Sequence, residues 1–299
     1  PTVDPVQSVV RCAGSASGSF NFTGAIPNTV FTWTSSNTAI NIGASGTGNI
    51  PSFTVANNTP NAIVSTITVT PKYTFNNITC FGAPQTFTIT VNPIPTVNTV
   101  NSVAYCHGAT TTAINFASSF GVPNTTYTWA NSNSAIGLGI GATGNLPSFL
   151  ATNNSAAPIS GNITVTPSAT NAGFTCSGTP MTFVMTVNPI PTVNAVASQV
   201  VCNNASTTAI NFGGAVTGTV YEWTNNNAGI NLGIQGVGNI ASFTATNTTN
   251  APITGNFSVT PSYTNAAGTC LGSTATFNIT VNPTPTVNAV GSQTVCVND

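Results

Sequence analysis

Seven cysteines are the residues of this 299-residue chain best suited to chemistry, and they form two series. Cys12, Cys106, Cys202 and Cys296 each stand eleven residues after a proline, and Cys80, Cys176 and Cys270 recur at the same spacing of 94 to 96 residues. There is no Cys-x-x-Cys pair and only 1 histidine. Such an arrangement suits disulfides and not a metal site. Disulfides require an oxidising compartment, which places the chain outside the cytoplasm.

Other chemistry finds little to work with. His107 adjoins Cys106, the spacing of a thiol–imidazole pair. The residues after the equivalent cysteines are Ala13, Asn203 and Val297, so His107 reads as a loop variant. Lys72 has no counterpart in other repeats, so no repeating Lys–Asn crosslink forms, and no catalytic residue is assigned. Calcium needs several oxygen ligands, usually with carboxylate charge. Asp4, Glu222 and Asp299 are the only carboxylates, so no repeating site assembles and no cofactor is expected. Lys and Arg total 2, leaving nothing to neutralise a phosphate backbone. Sequons such as Asn162-Ile-Thr164 and Asn278-Ile-Thr280 follow from the abundance of Asn and Thr.

The elements that carry these residues repeat with them. Asn-Pro-x-Pro-Thr-Val-Asn stands at 92–98, 188–194 and, as Asn-Pro-Thr-Pro-Thr-Val-Asn, at 282–288; its tail opens the chain at Pro1-Thr2-Val3-Asp4. The chain therefore divides into repeats at 1–92, 93–188 and 189–282, with 283–299 the start of a fourth. Beginning inside the motif and stopping eleven residues beyond its last copy, it reads as a piece of a longer or processed protein. No apolar run approaches the ~18 residues of a spanning helix, so no membrane insertion is expected in this segment. Recurring Val, Ile, Phe and Trp argue against disorder.

Gly, Asn, Thr and Pro interrupt every window in which a helical period might build, while alternation with period two is frequent. In the second repeat it predicts strands over Thr96–Cys106, with a break near Asn101-Ser102, then Thr111–Ala117, Thr126–Asn131, Ser148–Thr152, Ile159–Thr166 and Thr182–Asn188. Gly137–Gly144 reads as irregular with short edge pairing. Phe53, Phe149 and Phe243 are expected anchors, and Pro167 is expected where its strand leaves the ladder. Trp33, Trp129 and Trp223 each follow an aromatic two positions earlier, a core pairing on one strand face and not a sugar platform. About seven short strands with a Trp on the third make an all-β, immunoglobulin-like sandwich. Units of roughly 25–40 Å joined by Pro-x-Pro linkers predict an extended rod on the order of 100 Å long.

The Trp on the third strand, Gly161-Asn-Ile-Thr-Val-Thr-Pro167 and Thr182-Phe-x-x-Thr-Val187 together resemble the PKD-like repeats of very large secreted surface proteins of Bacteroidota. These include gliding and attachment adhesins exported by the type IX route. The chain departs from standard PKD domains after the Trp, with Trp33-Thr-Ser-Ser-Asn37 where those carry a Phe-Gly-Asp-type sequence. The resemblance implies the fold and a location on the bacterial cell surface; it implies no catalytic residue.

Two disulfide patterns are compatible with this fold. Linear order favours bonds within repeats: Cys12–Cys80, Cys106–Cys176 and Cys202–Cys270, with the partner of Cys296 beyond the chain. Each closes about 70 residues, worth about 4 kcal/mol of chain entropy. The alternative is a pair of staples between repeats, Cys12–Cys176 and Cys106–Cys270, because the first and last hairpins of an immunoglobulin topology lie at opposite ends. The break near Asn101 shortens the first strand and favours the first pattern.

The function expected from all this is mechanical: a non-catalytic stalk or filament segment of a secreted cell-surface protein. Its expected partners are further repeats or other copies of itself, since sheet edges without charge invite association into fibres. The rival is an adhesin repeat binding a glycan or protein directly, for which only the longer loop of the second repeat, with Phe120 and Pro123, breaks the uniformity. A third is an accessory module of a secreted hydrolase. An outward Thr-x-Thr array suited to ice or a crystalline polysaccharide is broken at Val184.

Overall fold

A computed structural model describes residues 1–266 and 268–295. It contains three sheets of one design. The first holds β1 (Val9–Cys12), β2 (Val30–Ser35), β3 (Ser45–Thr47), β4 (Ile63–Phe75), β5 (Ile78–Phe81) and β6 (Gln85–Asn92). Their order is β1-β6-β4-β2-β3, with β5 also paired to β4. The second sheet repeats this with β7 (Val103–Cys106), β8 (Thr125–Asn131), β9 (Gly141–Thr143), β10 (Ile159–Asn171), β11 (Phe174–Ser177) and β12 (Met181–Asn188). The third does so with β13 (Gln199–Cys202), β14 (Val220–Asn225), β15 (Gln235–Val237), β16 (Ile253–Asn265), β17 (Gly268–Leu271) and β18 (Ala275–Asn282). The first strand of each sheet runs parallel to the last, and all other pairs are antiparallel.

Facing each sheet is a second layer that completes an immunoglobulin-like sandwich. The expected strands at 111–117 and 148–152 lie here, but as extended segments joined by the isolated bridges Thr110↔Leu150 and Ile114↔Leu146. Side chains replace part of the backbone ladder. Thr111 Oγ1 accepts the Phe149 amide at 2.9 Å, and Asn145 Oδ1 accepts that of Phe116 at 3.0 Å. The first and third units repeat both contacts, through Ser17 and Asn49 and through Thr207 and Asn239. The expected anchors Phe53, Phe149 and Phe243 are only half-buried. Ile50, Leu146 and Ile240 of that layer are buried more deeply.

Each first strand is divided between the layers. In the second unit the Asn98 amide donates to Ala117 O in the second layer, and the chain then crosses to pair as β7 with β12. At the crossing Ser102 Oγ accepts the Val184 amide at 3.0 Å; Ser8 and Ser198 serve Thr88 and Asn278 alike. The predicted break near Asn101-Ser102 is thus a change of sheet without a change of direction, and it does not shorten the path.

Strand β10 runs on through Pro167, beyond the expected exit at that residue. Pro167 lies between the rungs to β12, which end at Val165↔Met181, and those to β11, which begin at Ser168↔Ser177. Its carbonyl accepts from Gly178 on the same side, so its ring nitrogen faces the gap where partners change and no rung is lost. Pro71 and Pro261 repeat the device with Gly82 and Gly272. The long strand can therefore carry a hairpin well past the body of the unit.

The core lies between the layers. Ile67, Val69, Ile89 and Val91 are buried in the first unit, Ile163, Val165, Met185 and Val187 in the second, and Phe257, Val259, Ile279 and Val281 in the third. Each such side chain contributes about 1.5–3 kcal/mol. One end is plugged by a 3-10 turn capped by Asn37, Asn133 or Asn227, which buries Ile40, Ile136 or Ile230. Among the described residues there is no α-helix.

Candidate functional site

The cysteines are the residues to place. Strand β1 runs parallel to β6 and puts Cys12 in register with Asn92, where β6 ends. Cys80 lies on β5, in the hairpin at the other end of the unit. There the chain begins, and a Cβ on Gly82 would strike the Pro1 carbonyl. The eight residues of β6 separate the two poles by about 26 Å. A disulfide reaches only about 7 Å between Cα atoms.

The expected bond Cys12–Cys80 is therefore not formed, nor are Cys106–Cys176 and Cys202–Cys270. The bonds are Cys12–Cys176 and Cys106–Cys270, each with Cα atoms 5.6 Å apart and a sequence separation of 164 residues. Both join the far end of one unit to the near-end hairpin of the next. Cys80 and Cys202 are free and exposed. Cys296, expected to bond beyond the chain, lies outside the described residues.

Asparagines complete each junction. Asn92, the last residue of β6 and the first of the linker, is buried. Its Nδ2 donates to the carbonyls of Asn171 and Phe174 at 3.3 and 3.4 Å, and Asn171 Nδ2 returns a bond to its Oδ1 at 3.0 Å. At the next junction Asn188 and Asn265 exchange amide bonds at 3.2 and 2.8 Å. The uncharged amides satisfy each other where an ion pair would have to lose its hydration.

The longer loop of the second unit also belongs to a junction. Val122, Pro123 and Asn124 line a cavity of about 160 Å³ together with Pro60, Asn92 and Asn171. Phe120 lines another depression with Ala13 and Asn57 of the first unit. The feature that set the second repeat apart is thus turned toward its neighbour.

Other residues singled out by type hold structure. His107 Nδ1 accepts the Asn153 amide at 2.9 Å, the service that Asn203 Oδ1 performs for Asn247 at 2.8 Å. Asn153 is itself buried; its Nδ2 donates to Ala157 O and Val187 O at 2.8 and 2.7 Å, and its Oδ1 accepts from Ser155. Asn57 and Asn247 are held in the same way. Trp33, Trp129 and Trp223 are buried. Their indole Nε1 atoms have no hydrogen-bond partner, and Gly46 and Gly236 leave room for two of the rings. Burial raises the Tyr127 hydroxyl above its ordinary value of 10.0. Among the described residues no three His, Cys, Asp or Glu side chains gather as a metal set.

The sequence missed the junction asparagines. They stand in the Asn-Pro linker motif and at the hairpin tips, and only tertiary contact pairs them.

No protein-family model and no curated protein matches the chain. Among solved structures, the human Desmocollin-1 ectodomain matches 100% of this chain over 64% of its own length, at 14% identity and a TM-score of 0.31. Drosophila N-cadherin EC1-4 matches 93% of the chain over 74% of its own, at 11% identity and a TM-score of 0.31. Sidekick-1 immunoglobulin domains 1-5 match 95% over 59%, at 12% identity and a TM-score of 0.32. The chain thus spans less than two thirds of the Desmocollin-1 and Sidekick-1 structures. Likeness this distant carries no argument about function, and the fold assignment rests on strand order and pairing.

Proposed function

We propose that this chain is a non-catalytic, tension-transmitting segment of a stalk or filament on a secreted cell-surface protein. Its repeats at 1–92, 93–188 and 189–282 serve as links, followed by the opening of a fourth at 283–299. One observation carries the reading: among the described residues both disulfides cross from one unit to the next and none closes within a unit. A bond within a sandwich stabilises that sandwich. A bond across a junction gives pulling force a covalent path that bypasses the Asn-Pro linker. Disulfides also favour an oxidising, extracellular setting, and the resemblance to PKD-like repeats of Bacteroidota adhesins points to a bacterial surface and type IX export. Direct glycan or protein binding by the second repeat loses its main support, since Phe120 and Pro123 line junction depressions.

Small-angle scattering of the full chain, oxidised and reduced, is the test. The oxidised chain is expected as a stiff rod on the order of 100 Å, and the reduced chain as an ensemble bending at the linkers. A compact oxidised particle, or identical profiles in both states, overturns the proposal.

A further inference from the structure

We infer that two copies of this chain dock side by side in opposite directions, the first unit of each against the third unit of the other, through one corner of the outer sheet face. The inference goes beyond the stalk reading above and shares with it only the staples that keep the units in line. The corner is a row of three side chains on neighbouring strands. In the first unit the row is Val30, Lys72 and Phe81, in register across β2, β4 and β5. In the third it is Val220, Ser262 and Leu271, with Glu222 and Val237 paired on the next outward rung. Residues directly opposite in a sheet share a face. Val69 and Pro71 of β4 are buried, so Lys72 and its row face outward. In the second unit the same three places hold Thr126, Ser168 and Ser177. The first and third units thus put large apolar groups and an ion where the second puts hydroxyls.

The openness of this corner belongs to the unit and not to its place in the chain. Phe81 is 68% exposed and Leu271 65%; Val30 is 41% exposed and Val220 44%. The third unit has the second bonded to its hairpin at Cys270, the residue before Leu271, and its row is as open as that of the first. Successive strand residues point to opposite faces, so the junction covers Cys270 and leaves Leu271 free.

The ions decide what fits. Lys72 and Glu222 belong to a set of only 2 Lys and Arg and 3 Asp and Glu. Asp4 accepts the Thr23 hydroxyl at 2.7 Å, and Arg11 donates to the Val10 carbonyl at 3.0 Å. Among the described residues Lys72 and Glu222 have no ion-pair or hydrogen-bond partner. A corner centred on a cation and a corner edged by an anion complement each other, whereas two like corners would set like charges face to face.

Both corners lie on one chain but cannot meet within it. The staples hold the first unit at Cys176 and the third at Cys106, at opposite ends of the second unit. The eight residues of β12 between those ends span about 26 Å. The occupant is therefore a second copy. With the copies antiparallel the contact is made twice about a two-fold axis, and the pair closes instead of growing. Apolar burial supplies the attraction, and the Lys72–Glu222 pairs select partner and direction. Covered by Phe81 and Leu271, such pairs are screened by salt less than open ones.

The experiment uses the full chain with Cys80→Ser, Cys202→Ser and Cys296→Ser, which keeps both staples and prevents any disulfide between copies. Sedimentation across a concentration series should show the 30.1 kDa monomer in equilibrium with a dimer and nothing larger. Phe81→Ser with Leu271→Ser removes the apolar part of both corners and should weaken the dimer about tenfold or more. Lys72→Glu and Glu222→Lys should each weaken it about fivefold alone, since each sets like charges together in both contacts. Mixed in equal amounts, these two variants should pair with each other about as tightly as the parent, because both contacts again join opposite charges. A general loss of fold or solubility cannot give that rescue. A chain that stays monomeric at millimolar concentration, growth beyond dimers, or a mixture no better than its parts overturns the inference. If oxidised and reduced chains scatter alike while the charge rescue holds, the stalk reading falls and this contact stands; the converse result sinks only this contact.

Discussion

The interior of a unit and the junction between units are built from different materials. Inside, Ile67, Val69, Ile89, Val91 and Trp33 exclude water, and the buried amide of Asn57 is held by backbone groups and the Thr59 hydroxyl. At a junction the shared parts are one disulfide and one pair of asparagines, while the apolar part varies. The first junction has Phe174 on the hairpin and Phe120 on the longer loop; the second has Gly268 at the hairpin position. Covalent closure and neutral hydrogen bonds act there with few residues. A regular sheet needs a whole domain.

That contrast can be broken in steps of decreasing size. Replacing Cys12 and Cys176 by Ser should remove roughly 5 kcal/mol of chain-entropy stabilisation, because the closed loop exceeds 100 residues. Denaturant unfolding should show it as loss of coupling between the first two units. An unchanged transition would mean that the junction does not depend on its staple.

Trp129→Ala should cost about 3–5 kcal/mol and unfold the second unit while leaving the others folded. Site-specific proteolysis reads this out. A folded variant that instead loses binding to a surface glycan would move the Trp from core to ligand site.

Asn153→Ala strands the buried carbonyl of Val187 and should cost about 1–3 kcal/mol, measurable as an earlier midpoint for the second unit alone. Asn188→Ala removes the amide bonds exchanged with Asn265 across the junction. The expected loss is about 1 kcal/mol, visible as wider bending at the second junction in scattering and not as a shift in either unit's midpoint. If the two asparagine variants gave equal shifts within a unit, the division between interior and junction would collapse.

The smallest effect expected is that of salt. With Lys and Arg totalling 2 and Asp and Glu 3, association between copies should change less than twofold between low and moderate NaCl in sedimentation, since there are few charges to screen. A steep salt dependence would show that ions hold copies together after all.

Much of this was legible in the residues. The repeat, the all-β class and the buried tryptophans follow from period, alternation and spacing, all local to the chain; the expected oxidation of the cysteines holds for Cys12, Cys106, Cys176 and Cys270 and not for Cys80 and Cys202. Alternation over Ile163 and Val165 dictates which side faces the core wherever the strand ends up. Likewise, Cys12 to Cys270 recur at intervals that only a repeated architecture explains. Which cysteine meets which was decided elsewhere. Linear order places Cys12 nearer to Cys80 than to Cys176, yet the parallel pairing of β1 with β6 carries Cys12 to the far pole. The proline gap that lets β10 continue past Pro167 carries Cys176 back to meet it. The first is set by strand pairs 80 residues apart, and the second by an exchange of partners along one strand that only the assembled sheet defines. The same holds for Asn92 and Asn171: each is an ordinary turn residue in sequence, and only the docking of one sandwich on the next makes them a pair.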